Sequence, residues 1–593
     1  MELTETFSRT ARGLYASLPL PAEESIRLLA IPPRSSNHNE TTIIRCELQV
    51  HNLKNTPAYE ALSYVWGSLD PAAHVMCNGV LMKIGPSLAG ALRRLQNPDH
   101  TFRLLWVDAL CINQDDLEER SSQVSFMKSI YELAEKVNIW LGEDDGVTEE
   151  GLDIIKTAAS YCNDEMTDLG VWAIEELPGK TIDSADEDRG IIPPWASPLW
   201  DQVNSIFARP WFSRVWVIQE ASNHNVEVMI GSMAALPWRE LWTAGRWFIH
   251  KGYKWASGVD VLGILTHERA AHSRNKPSSI GQWLYGIGHF HATNPRDRAY
   301  AFYGLAKEAV ILKDHPLTAP NYENSVVDVF QGLTRFILLK ENTELALLHF
   351  VTKFGINGQR EFPSWVPRFD ESLTEDGPIL HSDSIASNWN AGGDIPHRIS
   401  DCGELRCLTL RGIIVSPVKS VLALVIDEDN LPRCVKHFYE MVKQVSGRSG
   451  GRPDDERQFK QSFIRALTTD RRQTNDAAAP PWGPDDLDWF MSIPDDQYDS
   501  TPQSIYDLDF AINSRRGPLV LLDNDMLCKA VIDDTLPGDL ICVFLGAYVP
   551  HIIRPEGDHY TFVSECYVQD LMGGKAIDEW RAGNLKDEWI ELH

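Results

Sequence analysis

LWVDALCINQDDLEERSSQVSFMKSIYELAEKVNIWLGE, residues 105–143, is the stretch on which the fold turns. With the residues before it, Phe102 to Asp108 (FRLLWVD) form a short apolar run suited to a buried strand. Asp116 and Glu119 then stand at the N-cap and N3 spacing of a capping pair. Val124, Met127, Tyr131 and Ala134 follow at helical spacing and predict a helix to about Lys136. Val137 to Leu141 (VNIWL) is a second apolar strand, closed by Gly142. Strand, helix and strand in this order make a βαβ unit, whose strands must be parallel.

Working outward, Tyr59–Gly67 (YEALSYVWG) is another buried strand ending in glycine. Before it, Ile26, Leu28 and Leu29, then Ile43, Ile44, Cys46 and Leu48, predict two short strands. His74 to Ile84 reads as a hairpin, because Asn78-Gly79 tolerates the positive φ of a type I′ turn. Ser87 is placed to cap a helix with Leu88, Leu92 and Leu95 on one face. Downstream, residues 163–198 are acidic and Pro-rich and read as an insertion or loop. Leu199 to Phe207 is helical. Ser213 is placed to cap a helix carrying Trp216 and Glu220 on one face, and Val226 to Ile230 is a further strand. Residues 238–350 read as mainly helical, and 405–425 and 517–568 as β-rich with turn signals. The resulting division is a leader at 1–21, an α/β domain at 22–235, a helical region at 236–360 and a β-rich region at 361–593. Low-complexity insertions fall near 446–457 and 473–486.

A chain of 593 residues exceeds one ordinary core. Lys and Arg number 55 against 84 Asp and Glu, a net charge of −29, which repels nucleic acid and anionic membranes. The ten Cys include no CxxC, and no metal site is expected. The opening MELTETFSRTARGLY has no apolar signal segment, and no run is long enough for a membrane span. A cytoplasmic protein with free thiols is the simplest expectation.

In an open parallel sheet, ligands bind beyond the carboxyl ends of the strands. That edge should gather Trp66 and Gly67 from the first strand, and Asp108, Asn113 and Gln114 from the second. Residues 142–145 follow the third, and Trp216 and Glu220 lie on the later helix. Gly67 leaves room for a ligand, Trp66, Trp106 and Trp216 offer rings for stacking, and Asn113 and Gln114 offer hydrogen bonds. A carboxylate there could hold a ribose diol or stabilise positive charge at its C1. Plainer roles compete: the Trp side chains as core, Asp108 as a cap, and Glu220 as the structural partner of Arg209 or Arg214.

Three segments, Tyr59–Gly67, Leu105–Glu143 and Arg209–Ser222 (RPWFSRVWVIQEAS), resemble in order and spacing the three blocks of the fungal heterokaryon-incompatibility (HET) domain. Asn294–Ala306 (NPRDRAYAFYGLA), Phe362–Arg368 (FPSWVPR) and part of Phe544–Gly574 resemble segments common after that domain. The resemblance implies a role in non-self recognition at hyphal fusion, ending in programmed cell death. It implies a TIR/flavodoxin-like parallel sheet with flanking helices. Trp216 and Glu220 are similar to the Trp-x-x-x-Glu motif of TIR domains, which makes Glu220 the expected catalytic carboxylate for cleaving NAD. No cofactor is then required, and NAD is a substrate. Incompatibility or NLR-type proteins and further copies of the chain are the implied partners. The alternative is a non-catalytic interaction module of the same fold. The hairpin at 74–84 and the insertion at 163–198 depart from the TIR pattern. Elsewhere, Gly286-Ile287-Gly288 does not extend to a dinucleotide motif, and His289 and His291 lack a third ligand. Cys111 has no motif-linked His, and GxSxG is absent.

Overall fold

A computed structural model describes residues 11–21, 24–33, 43–96, 101–144, 149–178, 192–194, 197–252, 278–284, 290–340, 345–351, 361–371, 389–400, 406–423, 431–447, 453–470, 482–493 and 517–593. The Gly286–Gly288 and His289 readings lie outside these residues, as do 179–191, 195–196, 448–452 and 473–481 of the expected insertions. The chain divides into two compact units, Met1–Ser325 and Val326–His593. The first thus continues beyond residue 235, where the sequence suggests a boundary.

In the first unit the strands are β1 (Ser25–Ile31), β2 (Ile44–Asn52), β3 (Glu60–Tyr64), β4 (Ala73–Cys77), β5 (Val80–Ile84), β6 (Arg103–Trp106), β7 (Lys136–Trp140), β8 (Val226–Met229) and β9 (Leu236–Pro237). They form one mixed sheet in the order β5-β4-β2-β1-β6-β3-β7-β8-β9. The expected parallel sheet is its centre: β6, β3, β7 and β8 run parallel. Antiparallel pairing of β1 with β6, β1 with β2 and β8 with β9 extends it on both sides. The flanking helices include α1 (Pro86–Leu95), α2 (Leu117–Ser125), α3 (Met127–Leu133), α4 (Glu149–Leu169), α5 (Leu199–Phe207), α6 (Trp238–His250) and α7 (Asp297–Tyr303). Covered on both faces, β3 and β7 are almost continuously buried, which is why they read as apolar runs rather than alternating ones.

Local chemistry explains most boundaries. Asn78 and Gly79 take φ of 47° and 81°, as a type I′ hairpin turn requires. The Asp116 side chain accepts from the Glu119 N–H at 3.0 Å and starts α2. Two local expectations are corrected. Helix α1 begins at Pro86 after Gly85, with no side-chain cap from Ser87, because proline at N1 already supplies the helical φ. The single helix expected from Asp116 to Lys136 breaks at Phe126 (φ −128°, ψ 18°) into α2 and α3. The leader docks in part: the Tyr15 hydroxyl donates to Leu110 O at 3.0 Å, and buried Arg27 donates to Leu18 O at 2.9 Å.

At the amino end of the parallel strands, Arg103 on β6 binds both oxygens of Glu60 on β3, at 2.7 and 3.0 Å. Asn138 on β7 donates to the same carboxylate at 2.5 Å. This network spans three strands and is satisfied only in one register.

The second unit is β-rich, as expected. Its strands are β10 (Ile399–Ser400), β11 (Leu408–Leu422), β12 (Leu519–Leu522), β13 (Leu527–Ala530), β14 (Leu540–Phe544), β15 (His551–Glu556), β16 (His559–Tyr567) and β17 (Asp587–Leu592). The path β11-β12-β13-β16-β15-β14 closes on itself through β14–β11 pairing. Register shifts between Ile414 and Ser416 and between Val418 and Ser420 bend β11, so that its two halves pair with different strands. Along β12, Val520 and Leu522 join one core with Val418, Ile541 and Val563, while Leu519 and Leu521 join another with Phe438, Phe463 and Trp482. Period-two alternation thus buries both faces of this strand.

Among the described residues eight cysteines are free, but Cys407 is disulfide-bonded, which corrects the expectation of free thiols throughout. No helix among the described residues is long and apolar enough to cross a membrane.

Candidate functional site

At the carboxyl edge of β3 and β6 the polar groups converge, as the strand topology requires. Ser63, the one polar residue between Leu62 and Tyr64 on β3, is buried. Its hydroxyl receives the Trp211 indole N–H at 2.6 Å and donates to the Glu220 carboxylate. Arg214 grips the same carboxylate with both terminal nitrogens, at 3.1 Å each. The Glu220 side chain is 2% exposed and that of Arg214 18%.

Asp108, at the end of β6, is the second acid. Its carboxylate accepts the Trp66 indole N–H at 2.8 Å and the Ala109 N–H at 2.7 Å, and it hydrogen-bonds the Tyr64 hydroxyl. Burial pushes the Asp108 carboxyl up to about 6; Arg214 pulls it down, and Glu220 pushes it further up. Arg214 feels both acids: burial lowers its value, but Glu220 and Asp108 outweigh that and raise it. Burial also drives the Tyr64 and Tyr131 hydroxyls well above their ordinary value. One guanidinium therefore serves two carboxylates in a site walled by phenols and indoles.

The expected helix capped by Ser213 is not formed, and this is a correction. Val217–Glu220 is a single helical turn, and Trp216 sits before it at the N-cap position. The reason lies far along the chain. His291 N–H donates to Ser213 O at 2.5 Å and Val215 N–H donates to His291 O at 3.1 Å, so residues 213–215 are held in a bridge to His291 and cannot wind. Ser213 Oγ donates instead to Pro210 O at 2.9 Å. Within the turn, Gln219 Nε2 donates to Ala301 O at 2.7 Å.

The residues expected at the edge separate into two sets. Glu220, Asp108 and Trp66 come together. Gln114 joins them through the backbone, its Nε2 donating to Asp108 O at 2.9 Å. Gly67 adjoins them with φ of +63° and open space where a Cβ would stand. Trp66 is 43% exposed, and so offers a ring to a ligand. Trp106 offers none: it is fully buried, edge-on to Tyr131 at 5.3 Å.

Asn113 and Trp216 lie elsewhere. Asn113 N–H donates to Glu119 Oε1 at 2.7 Å, beside a cleft of about 580 Å³ lined by Arg12, Arg27 and Glu119. Trp216 hydrogen-bonds the Asp297 carboxyl on α7. Asp297 also accepts the Tyr322 O–H at 2.6 Å, and burial raises its value. Sequence reasoning did not assign Ser63, Tyr64, Trp211 or Asp297 to the site. Ser63 was findable as a polar residue inside an apolar strand. Arg209, considered as a partner of Glu220, instead donates to Leu141 O and Glu143 O at 3.3 and 2.8 Å.

The cluster is bounded in sequence by Ser63 and Glu220. The family model "Heterokaryon incompatibility protein (HET)" matches residues 59–220, a span that contains it. The chain carries a HET domain. Heterokaryon incompatibility protein 6, OR allele, of Neurospora crassa is 28% identical to it over 445 residues. That match covers 63% of this chain and 62% of the relative. It extends well beyond the HET domain, whose model stops at Glu220. No solved structure matches significantly. The segment that leads into Glu220 is thus held from outside the matched span as well, by His291, Asp297 and Ala301.

Proposed function

We propose that this chain acts in fungal heterokaryon incompatibility, with its HET domain signalling cell death in the cytoplasm when unlike hyphae fuse. The observation that carries the reading is the coincidence of the HET match with the edge cluster Ser63–Asp108–Arg214–Glu220. A perturbed acid beside a shared arginine is a feature that functional sites concentrate. Incompatibility or NLR-type proteins, and further copies of the chain, are the proposed partners.

The chemical form we propose for the signal is NAD cleavage, in a TIR-like manner and with no added cofactor. Water and NAD give nicotinamide, ADP-ribose and a proton. Glu220 would hold the ribose hydroxyls and stabilise positive charge at C1 as nicotinamide leaves. Trp66 is the exposed ring for the base, beside Gly67. In the structure both Glu220 oxygens are held by Arg214, and Ser63 adds a further bond. Substrate therefore reaches Glu220 only if Arg214 moves, and a phosphate of the nucleotide is a suitable competitor for that guanidinium. The second reading, a non-catalytic interaction module, is favoured by the same saturation of Glu220.

An assay of NAD consumption by full-length protein, wild type and Glu220→Gln, separates the two. Nicotinamide release that the substitution abolishes, in protein shown folded by circular dichroism, supports the hydrolase. Equal release from both proteins removes Glu220 from the chemistry. No release from wild type, with cell death intact in both, assigns the domain to the module.

A further inference from the structure

The second unit contains a group of metal-ligand side chains that the HET reading does not use. Cys407 Sγ, a Glu591 carboxylate oxygen and a His593 ring nitrogen all lie within 4.8 Å of one another. They are brought together by strands, not by a loose loop. Strands β11 and β17 pair antiparallel with Leu408 opposite Leu592 and Thr409 opposite Glu591, so Cys407 and His593 meet at the end of one ladder. His593 is fixed further: its N–H donates to Tyr560 O at 3.0 Å, and its carbonyl accepts the Ser364 N–H at 2.9 Å. Beside Cys407, the Trp365 indole donates to Arg406 O at 3.1 Å.

The side chains are aimed as ligands would be. His593 Nε2 and Glu591 Oε1 are 2.7 Å apart. Two such atoms on one zinc ion stand roughly 3.3 Å apart at ordinary bond lengths and tetrahedral angles, so little movement is needed. The His559 ring lies 4.3 Å from that of His593, tilted 35°, and hydrogen-bonds Asp558 at 3.1 Å. It packs against the His593 ring. Cys407 is buried, while the side chains of Glu591 and His593 are 46% and 38% exposed and leave a path from solvent.

The geometry points to a zinc-class metal site at Cys407, Glu591 and His593 that forms only when the Cys407 disulfide is reduced. Sulfur, imidazole and carboxylate are together a zinc donor set, and three protein ligands leave one position for water. In the structure Cys407 is disulfide-bonded, so its sulfur is not a thiolate. A small thiol reductant opens the bond by exchange. Its thiolate attacks one sulfur, a second reductant thiol completes the reaction, and two protein thiols and the reductant's own disulfide result. The Cys407 thiol then gives its proton to solvent as its sulfur binds the metal. Neutral His593 donates through Nε2, and Glu591 binds as the carboxylate. Exchange with a small-molecule disulfide reverses this: the protein disulfide re-forms, two small thiols are released and the ion is expelled, which makes the site redox-gated.

The test uses the full chain, reduced with a thiol, freed of reductant without air and titrated with zinc against a chromophoric chelator. The expected result is one tightly bound zinc in reduced wild type and none at that site after reoxidation. His593→Ala and Glu591→Gln should each weaken binding roughly tenfold or more. These two variants keep the disulfide, so their folding is checked independently of it by thermal melting. With cobalt in place of zinc, a thiolate charge-transfer band is expected in wild type and should be absent in Cys407→Ser. The proposal is overturned if reduced wild type binds zinc no more tightly than reoxidised protein. It is equally overturned if His593→Ala and Cys407→Ser titrate as wild type, since the zinc would then sit on other thiols.

Discussion

Two arginine–glutamate pairs sit at opposite ends of the same parallel strands and are built differently. At the amino end, Arg103 and Glu60 are matched one to one, with side chains 19% and 18% exposed. Asn138 completes the network, and the charges balance. At the carboxyl end, Arg214 faces Glu220 directly and Asp108 as well, and the Glu220 side chain is 2% exposed. One cation there answers two acids in a drier place, and burial, with Glu220 adding to it, pushes the Asp108 carboxyl up to about 6. The first pair is a register lock. The second stores an unbalanced charge, which a lock does not need and a working site does.

The largest expected effect breaks the buried pair. Arg214→Met leaves the Glu220 carboxylate buried without its cation and should destabilise the domain by about 3–5 kcal/mol in urea unfolding. Arg103→Met, at the wetter pair, should lose only about 1–2 kcal/mol. Equal losses would erase the distinction between the two ends. The double variant Arg214→Met/Glu220→Gln should lose less than the sum of its singles, because neither charge is then stranded.

A sharper contrast is in pH. The folded Asp108 value, about 6, exceeds its ordinary 3.8. Between these values the folded state keeps a proton that the unfolded chain releases, so stability is full below the interval and falls as pH rises through it. The fall from this group should be roughly 1–3 kcal/mol between pH 4 and 7. Asp108→Asn should flatten that slope, whereas Glu60→Gln should leave it in place. A slope unchanged in Asp108→Asn would mean that the surplus charge does not reside there.

The smallest effect concerns Trp66. Trp66→Phe removes one N–H from the Asp108 carboxylate and should change stability by less than about 1 kcal/mol. It should still move the Asp108 titration upward, because that bond favours the charged form. Carbonyl NMR of Asp108 against pH reads this directly, and a downward movement would contradict the assigned partner.

What the sequence disclosed follows the range of the interactions. The βαβ segment, the Asn78-Gly79 turn and the Asp116 cap rest on residues a few places apart, and each is legible locally. The carboxyl-edge rule also brought Trp66, Asp108 and Glu220 to one place from strand order alone. The helix expected after Ser213 is absent because His291 captures residues 213–215 from far along the chain. Trp216 likewise finds its partner, Asp297, far along the chain. No local pattern announces such partners. Nor could spacing tell that Arg214, rather than Arg209, would take both oxygens of Glu220. The closure of β11 onto β14 is likewise a long-range event, visible in sequence only as two separate β-rich stretches.

We propose that the HET domain works through its unbalanced cluster and not through the balanced one. The most direct measurement is cell death in a filamentous fungal host expressing the full chain as wild type, Asp108→Asn, Glu220→Gln or Glu60→Gln, each at equal folded level. Death should persist with Glu60→Gln and be lost with Asp108→Asn and Glu220→Gln. Undiminished death in both carboxyl-edge variants would contradict it and reduce that cluster to a structural ion pair.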